Sequence, residues 1–270
     1  MEKKETEALL FKAINAAVMA GDKIMAVYMG EFEVCLKSDH TPLTQADLKA
    51  HAVIHSMLEE TGIPIISEEH RAASYAERKI WSRCWVVDPL DGTKEFVSRN
   101  GEFTVNIALV ENSKPILGVI YVPVSQTLYY AIVSENKAYR LVLDVHKVSK
   151  EILKNSEVIA PEKVVKGSIK VVASRSHLNR ETEDHINDLE AKGHHVHIVS
   201  KGSSLKFCLL AEGNAHVYPR YAPTMEWDTA AGHAICNAVG IRVLQAGTDK
   251  ELCYNKDDLL NPYFWASSIL

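Results

Sequence analysis

Five cysteines in 270 residues (Cys35, Cys84, Cys208, Cys236 and Cys253) are odd in number, widely spaced and without a C-x-x-C pair. That argues against a disulfide framework or a zinc cluster, and leaves the reduced thiols of a cytoplasmic protein as the expectation. No apolar run approaches the roughly 18 residues that a membrane-spanning helix needs. The start, Met1-Glu2-Lys3-Lys4-Glu5, is mixed in charge where a secretory leader would turn apolar. Nor is there an excess of positive charge. Thirty Lys and Arg against 35 Asp and Glu leave a formal charge of −5, which speaks against a general nucleic-acid or anionic-membrane surface. Any phosphate site must therefore be locally positive or supplied with metal. No Walker A loop, G-x-G-x-x-G or G-x-S-x-G occurs, so nucleoside triphosphatase, dinucleotide oxidoreductase and serine hydrolase readings have no support.

What is present is an ordinary globular composition, 47% hydrophobic and 24% charged, enough to bury a sizeable core in one large domain or two small ones. A stripe at Leu9, Leu10, Ala13, Ile14, Ala17, Val18, Ile24 and Val27, stopped by Gly30, predicts a helix from about Thr6 to Tyr28. A second helix is expected from Thr44 to near Gly62, with Leu48, Ala52, Val53, Met57 and Leu58 inward. A short strand, Ile63 to Ile66, follows. Closely spaced strand signals at 103–110, 115–122, 127–133 and 138–142 read as an antiparallel meander. The charged stretch 143–167 marks a boundary between halves 1–150 and 151–270, without a Gly/Ser linker. Beyond it, strands at 169–173, 196–200, 215–218 and 241–244 alternate with helices at 179–192, 203–212 and 227–239, which implies sheets covered by helices.

The stretch with most chemistry is Trp85-Val86-Val87-Asp88-Pro89-Leu90-Asp91-Gly92-Thr93-Lys94-Glu95-Phe96. An apolar strand ends in two aspartates three apart. Pro89 sets one torsion, Gly92 permits a positive φ, and Thr93 can open a helical turn whose free N–H groups suit a phosphate. Other acidic residues also stand at element ends: Asp47, Glu68-Glu69 and Asp228. Each has an ordinary use as a capping box, a solvated strand exit or a complement to a helix dipole. Brought together, several ionised carboxylates would repel unless cations neutralised them, and oxygen-only ligands favour Mg²⁺ or Mn²⁺ over zinc. His51 and His55 share a helix face with Asp47, but no Glu completes an H-E-x-x-H pattern, and a polar face explains them. His194-His195-Val196-His197 reads as the entry to a strand.

Three stretches together resemble the magnesium-dependent, lithium-sensitive phosphomonoesterases of the inositol monophosphatase family: Ser67-Glu68-Glu69, Asp88-Pro89-Leu90-Asp91-Gly92-Thr93 and Trp227-Asp228-Thr229-Ala230-Ala231-Gly232. The resemblance implies an α/β (α+β) fold, a layered αβαβα sandwich with the metal site where the halves meet. It implies one Mg²⁺ held by Glu68, Asp88 and the Leu90 carbonyl, and a second by Asp88, Asp91 and Asp228. A third, weaker ion near Glu68 is known in parts of the family. Gly92 and Thr93 would receive the phosphate, and Thr93 with Asp47 would orient the attacking water.

The second half resembles the branch of that family formed by the 3′(2′),5′-bisphosphate nucleotidases, through Ala173-Ser174-Arg175-Ser176-His177, Lys201-Gly202-Ser203-Ser204-Leu205-Lys206 and Tyr218-Pro219-Arg220. Ser176, His177, Lys201, Ser204, Lys206 and Arg220 would then contact the substrate, 3′-phosphoadenosine 5′-phosphate. Its second phosphate is not cleaved, and Lys, Arg and a helix N-terminus are suitable receivers for it. The same chemistry on inositol monophosphate or a sugar bisphosphate is the alternative, and a non-catalytic binding protein on the same fold is a more distant one. The expected partner is thus a small nucleotide. The cysteine usage leaves a cytoplasmic protein as the expectation, and some relatives associate with the cytoplasmic face of a membrane.

Overall fold

The computed structural model describes residues 3–36, 42–162, 168–173 and 179–269. Helix α1 (Lys3–Tyr28) precedes a two-stranded ribbon, β1 (Val34–Leu36) and β2 (Pro42–Thr44), and helix α2 (Gln45–Glu59). Then come β3 (Ile65–Ser67), α3 (Tyr75–Arg78), β4 (Arg83–Asp91), α4 (Thr93–Val97) and the meander β5 (Thr104–Glu111), β6 (Lys114–Val122), β7 (Thr127–Ile132) and β8 (Lys137–Val142). A short α5 (Lys150–Leu153) leads to β9 (Glu157–Ile159). The rest alternates: β10 (Ser168–Ala173), α6 (Arg180–Ala191), β11 (His195–Ser200), α7 (Leu205–Ala211), β12 (Val217–Arg220), α8 (Glu226–Ala238), β13 (Arg242–Gln245) and β14 (Phe264–Ser267).

Strands β3 to β9 form a seven-stranded sheet in chain order, with β3 and β4 parallel and every later pair antiparallel. The meander is thus observed. The charged stretch after Val142 contributes β9 to this sheet, which its hydropathy does not announce. The second sheet has the order β11-β10-β12-β14-β13, parallel through β11, β10 and β12 and antiparallel beyond. Its strand β14 comes from the last residues of the chain, where no strand is expected.

Side-chain alternation builds the layers. On β4, Trp85 and Val87 face α1 and α2, in a core that includes Ile14, Ile24, Ile54 and Leu58. Cys84 and Val86 face the other way, into a second core with α7, α8 and the inner face of the five-stranded sheet. Ile186 of α6 covers the outer face of that sheet at Ile169, Val171 and Val217. The order is helix, sheet, helix, sheet, helix, an αβαβα sandwich. Both faces of β4 are buried, so it reads as a continuous apolar run. Helix α8 can lie between two sheets because its surface is small: Ala230, Ala231, Gly232, Ala234 and Ala238 are all buried.

One helix face differs from expectation. The inward stripe of α2 is Ala46, Asp47, Ala50, Ile54 and Leu58, whereas Leu48 is 51% exposed and Ala52 is exposed too. An aspartate belongs to the buried stripe, and hydrophobicity alone assigns it to the wrong side. Among the described residues no helix is long and apolar enough to cross a membrane, and all five cysteines are unpaired.

Candidate active site

Asp88 and Asp91 are three residues apart, so an unbroken strand would point them to opposite faces. The β4–β5 register prevents this. Asp88 pairs with Asn106 and Asp91 with Thr104, so two residues of β4, Pro89 and Leu90, oppose the single Val105. This bulge, at a proline that has no N–H to donate, turns both carboxylates to the same side. Gly92 then adopts a left-handed conformation (φ 93°) and α4 begins at Thr93. In the parallel β3–β4 pair Ser67 lies against Val87, and the Glu68 amide donates to the Val87 carbonyl at 3.2 Å. Glu68 is therefore level with Asp88. Asp228 arrives on the first turn of α8, with its Oδ2 accepting the Met225 N–H at 2.8 Å.

One oxygen from each of Asp88, Asp91 and Asp228 lies within 4.8 Å of the others. Burial, followed by the charges of Glu68, Asp91 and Asp228, pushes the Asp88 carboxyl well above the usual range. Burial and the Asp91 charge push Asp228 up to about 8. Repulsion of this kind is what a bound divalent cation removes, and a donor set made only of carboxylates suits a hard cation. The residues present fit such an ion.

The groups around the carboxylates are held by hydrogen bonds as well. Asp91 Oδ2 accepts the Ser203 hydroxyl and the Ser204 amide, both at 2.7 Å, and the Asn106 side chain at 3.2 Å. Asp47 serves in two ways. Its Oδ2 takes the Thr44 N–H and hydroxyl at 2.7 Å each, the capping box of α2, while its Oδ1 takes the Thr93 hydroxyl at 3.2 Å. Burial raises its pKa, and these hydrogen bonds hold it back. The Thr93 hydroxyl also lies 3.4 Å from the Leu90 carbonyl.

A cleft of about 550 Å³ opens beside the cluster, lined by Asp91, Gly92 and Asp228 together with Lys94, Lys201, Lys206 and Arg220. Lys206 is buried, its Nζ giving a hydrogen bond to the Ser203 carbonyl at 2.7 Å and standing 5.7 Å from the centre of the Tyr218 ring. Burial lowers its pKa to about 8. Lys201 pairs with Glu102 at 3.0 Å, and Glu102 also accepts the Gly202 N–H at 2.8 Å. Ser204 is 2% exposed, with its amide and hydroxyl directed at Asp91 and its hydroxyl 2.9 Å from the Asp228 carbonyl. It ties the two aspartates together rather than lining the cleft. Ser176 and His177 lie outside the described residues.

Sequence reasoning gave no role to Asn106 or Glu102, nor to Ser203 and Lys94, which stand in stretches it singled out. Asn106 had a readable signal, a polar residue in the otherwise apolar run of β5; the other three look like surface residues until the loops meet.

A profile of the inositol monophosphatase family matches residues 5–268. The 3′(2′),5′-bisphosphate nucleotidase CysQ of Salmonella typhimurium is 45% identical over 261 residues, covering 95% of this chain and 98% of that protein. The crystal structure of CysQ from Bacteroides thetaiotaomicron, described as a bacterial member of the inositol monophosphatase family, superposes with a TM-score of 0.86. It is 49% identical and covers 96% of each chain. The extragenic suppressor protein suhB of Bartonella henselae shares the fold at a TM-score of 0.73 and 22% identity, covering 96% of this chain and 93% of that one.

Proposed function

The chain belongs to the inositol monophosphatase family, and from that premise we propose that it removes the 3′-phosphate of 3′-phosphoadenosine 5′-phosphate, leaving AMP and phosphate. The observation that carries this reading is the convergence of Asp88, Asp91 and Asp228 beside a cleft whose wall carries four cationic side chains, Lys94, Lys201, Lys206 and Arg220, against one further carboxylate, Glu95. The cofactor is Mg²⁺, two or three ions per site, with Mn²⁺ able to substitute. Glu68, Asp88 and the Leu90 carbonyl would hold one ion, and Asp88, Asp91 and Asp228 another. When bound, such a pair polarises the phosphoryl oxygens, lowers the pKa of the attacking water and steadies the leaving oxygen.

The chain's own residues do the rest. The Thr93 hydroxyl donates a hydrogen bond to Asp47, which leaves its oxygen lone pairs to accept a hydrogen bond from the attacking water; as Thr93 takes the water's proton it passes its own to Asp47. The buried, raised Asp47 can share that proton. The first-turn N–H groups of α4 have no partner within the helix and face the phosphate being cleaved. Lys206, Lys201 and Arg220 receive the phosphate that stays. Burial holds the neighbouring Tyr218 phenol protonated, its pKa raised to about 12, so it adds no negative charge beside them. Li⁺, near Mg²⁺ in size but with a smaller charge, inhibits by competing for one of the ion positions. The unpaired thiols fit a reducing compartment.

Phosphate release tests this across 3′-phosphoadenosine 5′-phosphate, its 5′-sulfated form, inositol 1-phosphate and a sugar bisphosphate, with Mg²⁺, EDTA or Li⁺ added. The expected result is fastest release from the adenosine bisphosphate, none in EDTA and inhibition by Li⁺. Equal turnover of inositol 1-phosphate would mean that the basic wall does not read a second phosphate.

A further inference from the structure

Sequence spacing placed His51 and His55 one turn apart on a polar helix face; the fold adds a third histidine. Three residues beyond the end of β3, His70 comes to the same surface of α2. The ring centres are 5.4 Å apart for His51 and His55, 5.7 Å for His55 and His70, and 6.1 Å for His51 and His70. Three imidazoles on one tetrahedral ion, with metal–nitrogen bonds of about 2.0–2.1 Å, put their ring centres about 5.2 Å apart. The observed triangle is only a little wider.

Other features of the group suit a ligand role. His51 Nδ1 lies 3.3 Å from the Ser67 hydroxyl, the outer hydrogen bond that usually orients a metal-bound imidazole through its second nitrogen. His55 Nδ1 lies 3.8 Å from Glu59 Oε2, so a carboxylate is near at hand to balance charge. Burial, then the charges of His55 and His70, lower the pKa of His51, and neutral imidazole is the form that binds metal. The ring nitrogens do not yet converge: among the described residues only Asp88, Asp91 and Asp228 have ligand atoms all within 4.8 Å of one another, and the His51 and His70 rings lie within 9° of parallel. His70 is exposed and free to turn about χ2 toward the other two.

We propose that His51, His55 and His70 form a nitrogen-donor site for a borderline-soft divalent cation of the Zn²⁺ class, separate from the all-oxygen cluster at Asp88, Asp91 and Asp228. A Zn²⁺ ion there ties α2, which carries Asp47, to the exit of β3, which carries Glu68. Imidazole donors select this class over Mg²⁺, so Mg²⁺ does not fill the histidine site.

The test is calorimetric titration of the full chain with Zn²⁺ in saturating Mg²⁺. Cys35→Ser and Cys253→Ser are included so that the exposed thiols take no metal. The expected result is one Zn²⁺ bound, with affinity reduced at least about tenfold by His55→Gln and by His70→Gln. Asp228→Asn should leave that affinity unchanged. The two histidine side chains are partly or fully exposed, and unchanged melting of both variants without Zn²⁺ excludes misfolding. With Co²⁺ in place of Zn²⁺, the intense visible absorption of a tetrahedral ion should appear and vanish in the same two variants. Absence of Zn²⁺ binding, binding indifferent to both histidine changes, or binding lost on Asp228→Asn alone would overturn the site. None of these outcomes depends on which phosphate ester the enzyme hydrolyses.

Discussion

Gly232→Ala asks whether α8 is held where the chemistry needs it. A Cβ built on Gly232 lies 2.7 Å from Phe207 Cβ and closer still to the Phe207 ring, where carbon atoms settle at about 3.5–4.0 Å. Phe207 is 1% exposed and stacks on Phe264, with ring centres 5.9 Å apart. It has nowhere to go, so α8 must move by about 1 Å to restore ordinary contact. Asp228 is one turn earlier on the same helix and moves with it. A misplacement of about 1 Å in a catalytic assembly can cost about a hundredfold in rate. Overpacking of a close-packed core costs about 1–3 kcal/mol, and the better helix propensity of alanine offsets at most about 1 kcal/mol of that. With about 2 °C of melting temperature per kcal/mol for a chain of this size, the expected drop is a few degrees. The assay is kcat/KM for phosphate release at saturating Mg²⁺ beside a thermal melt. Gly118→Ala should behave alike from the sheet side, since its Cβ would lie 2.8 Å from Ala234 Cβ and closer to the Ala231 carbonyl. Gly30→Ala, whose Cβ would meet only the Val27 carbonyl at 3.6 Å, is the neutral control. A Gly232→Ala protein with normal melting and turnover would refute the claim that small residues on α8 set the position of Asp228.

The carboxylate cluster predicts how stability varies with pH. With Asp228 raised to about 8, the metal-free folded state holds a proton that the unfolded chain has lost, so stability falls as pH climbs from about 4 through 8. Saturating Mg²⁺ should flatten that slope, and urea midpoints at several pH values in EDTA and in Mg²⁺ would show it; parallel curves would count against the ion site. Lys206, lowered to about 8, loses its charge as pH rises through that value, so KM for a bisphosphate should rise above pH 8. Lys206→Met should raise KM about 10–100-fold at neutral pH, the worth of a charge-assisted hydrogen bond, and remove the alkaline rise; an unchanged pH profile would exclude it from substrate binding. Glu226, 0% exposed, pairs with Lys256 Nζ at 2.5 Å and accepts the backbone N–H groups of Asn255 and Lys256. The Lys256 side chain is 24% exposed, so breaking the pair with Lys256→Met should cost at most about 3 kcal/mol in chemical denaturation, the low end for a buried pair, and adding Glu226→Gln should recover part of it.

Much of this molecule was legible from local pattern. The periodicity of α1, the strand runs of the meander and the alternation after residue 168 follow from side-chain spacing alone, because the chain must bury those faces somewhere. The residue types around Asp88, Glu68 and Asp228 already pointed to oxygen ligation of a hard cation. Where reading failed, a distant partner decided. On α2 the expected inward Leu48 and Ala52 face solvent, and Asp47, expected as a capping box, takes a place in the inward stripe, where it meets Thr93. Strand β9, Glu157-Val158-Ile159, is too short to announce itself within a charged stretch, with only Ile159 buried, and its pairing with β8 supplies the rest.

The sequence by itself determined which chemistry was available: carboxylates enough for divalent cations, bases enough for a second phosphate, and no competing catalytic motif. Tertiary structure alone decided where those groups point. The bulge at Pro89-Leu90 puts two aspartates on one side of a strand, and the small surface of α8 lets Asp228 reach them from 137 residues beyond Asp91. The physical reason is that ligand geometry depends on register and on close packing between distant segments. Both are properties of pairs of chain segments, and neither segment's own sequence contains the other.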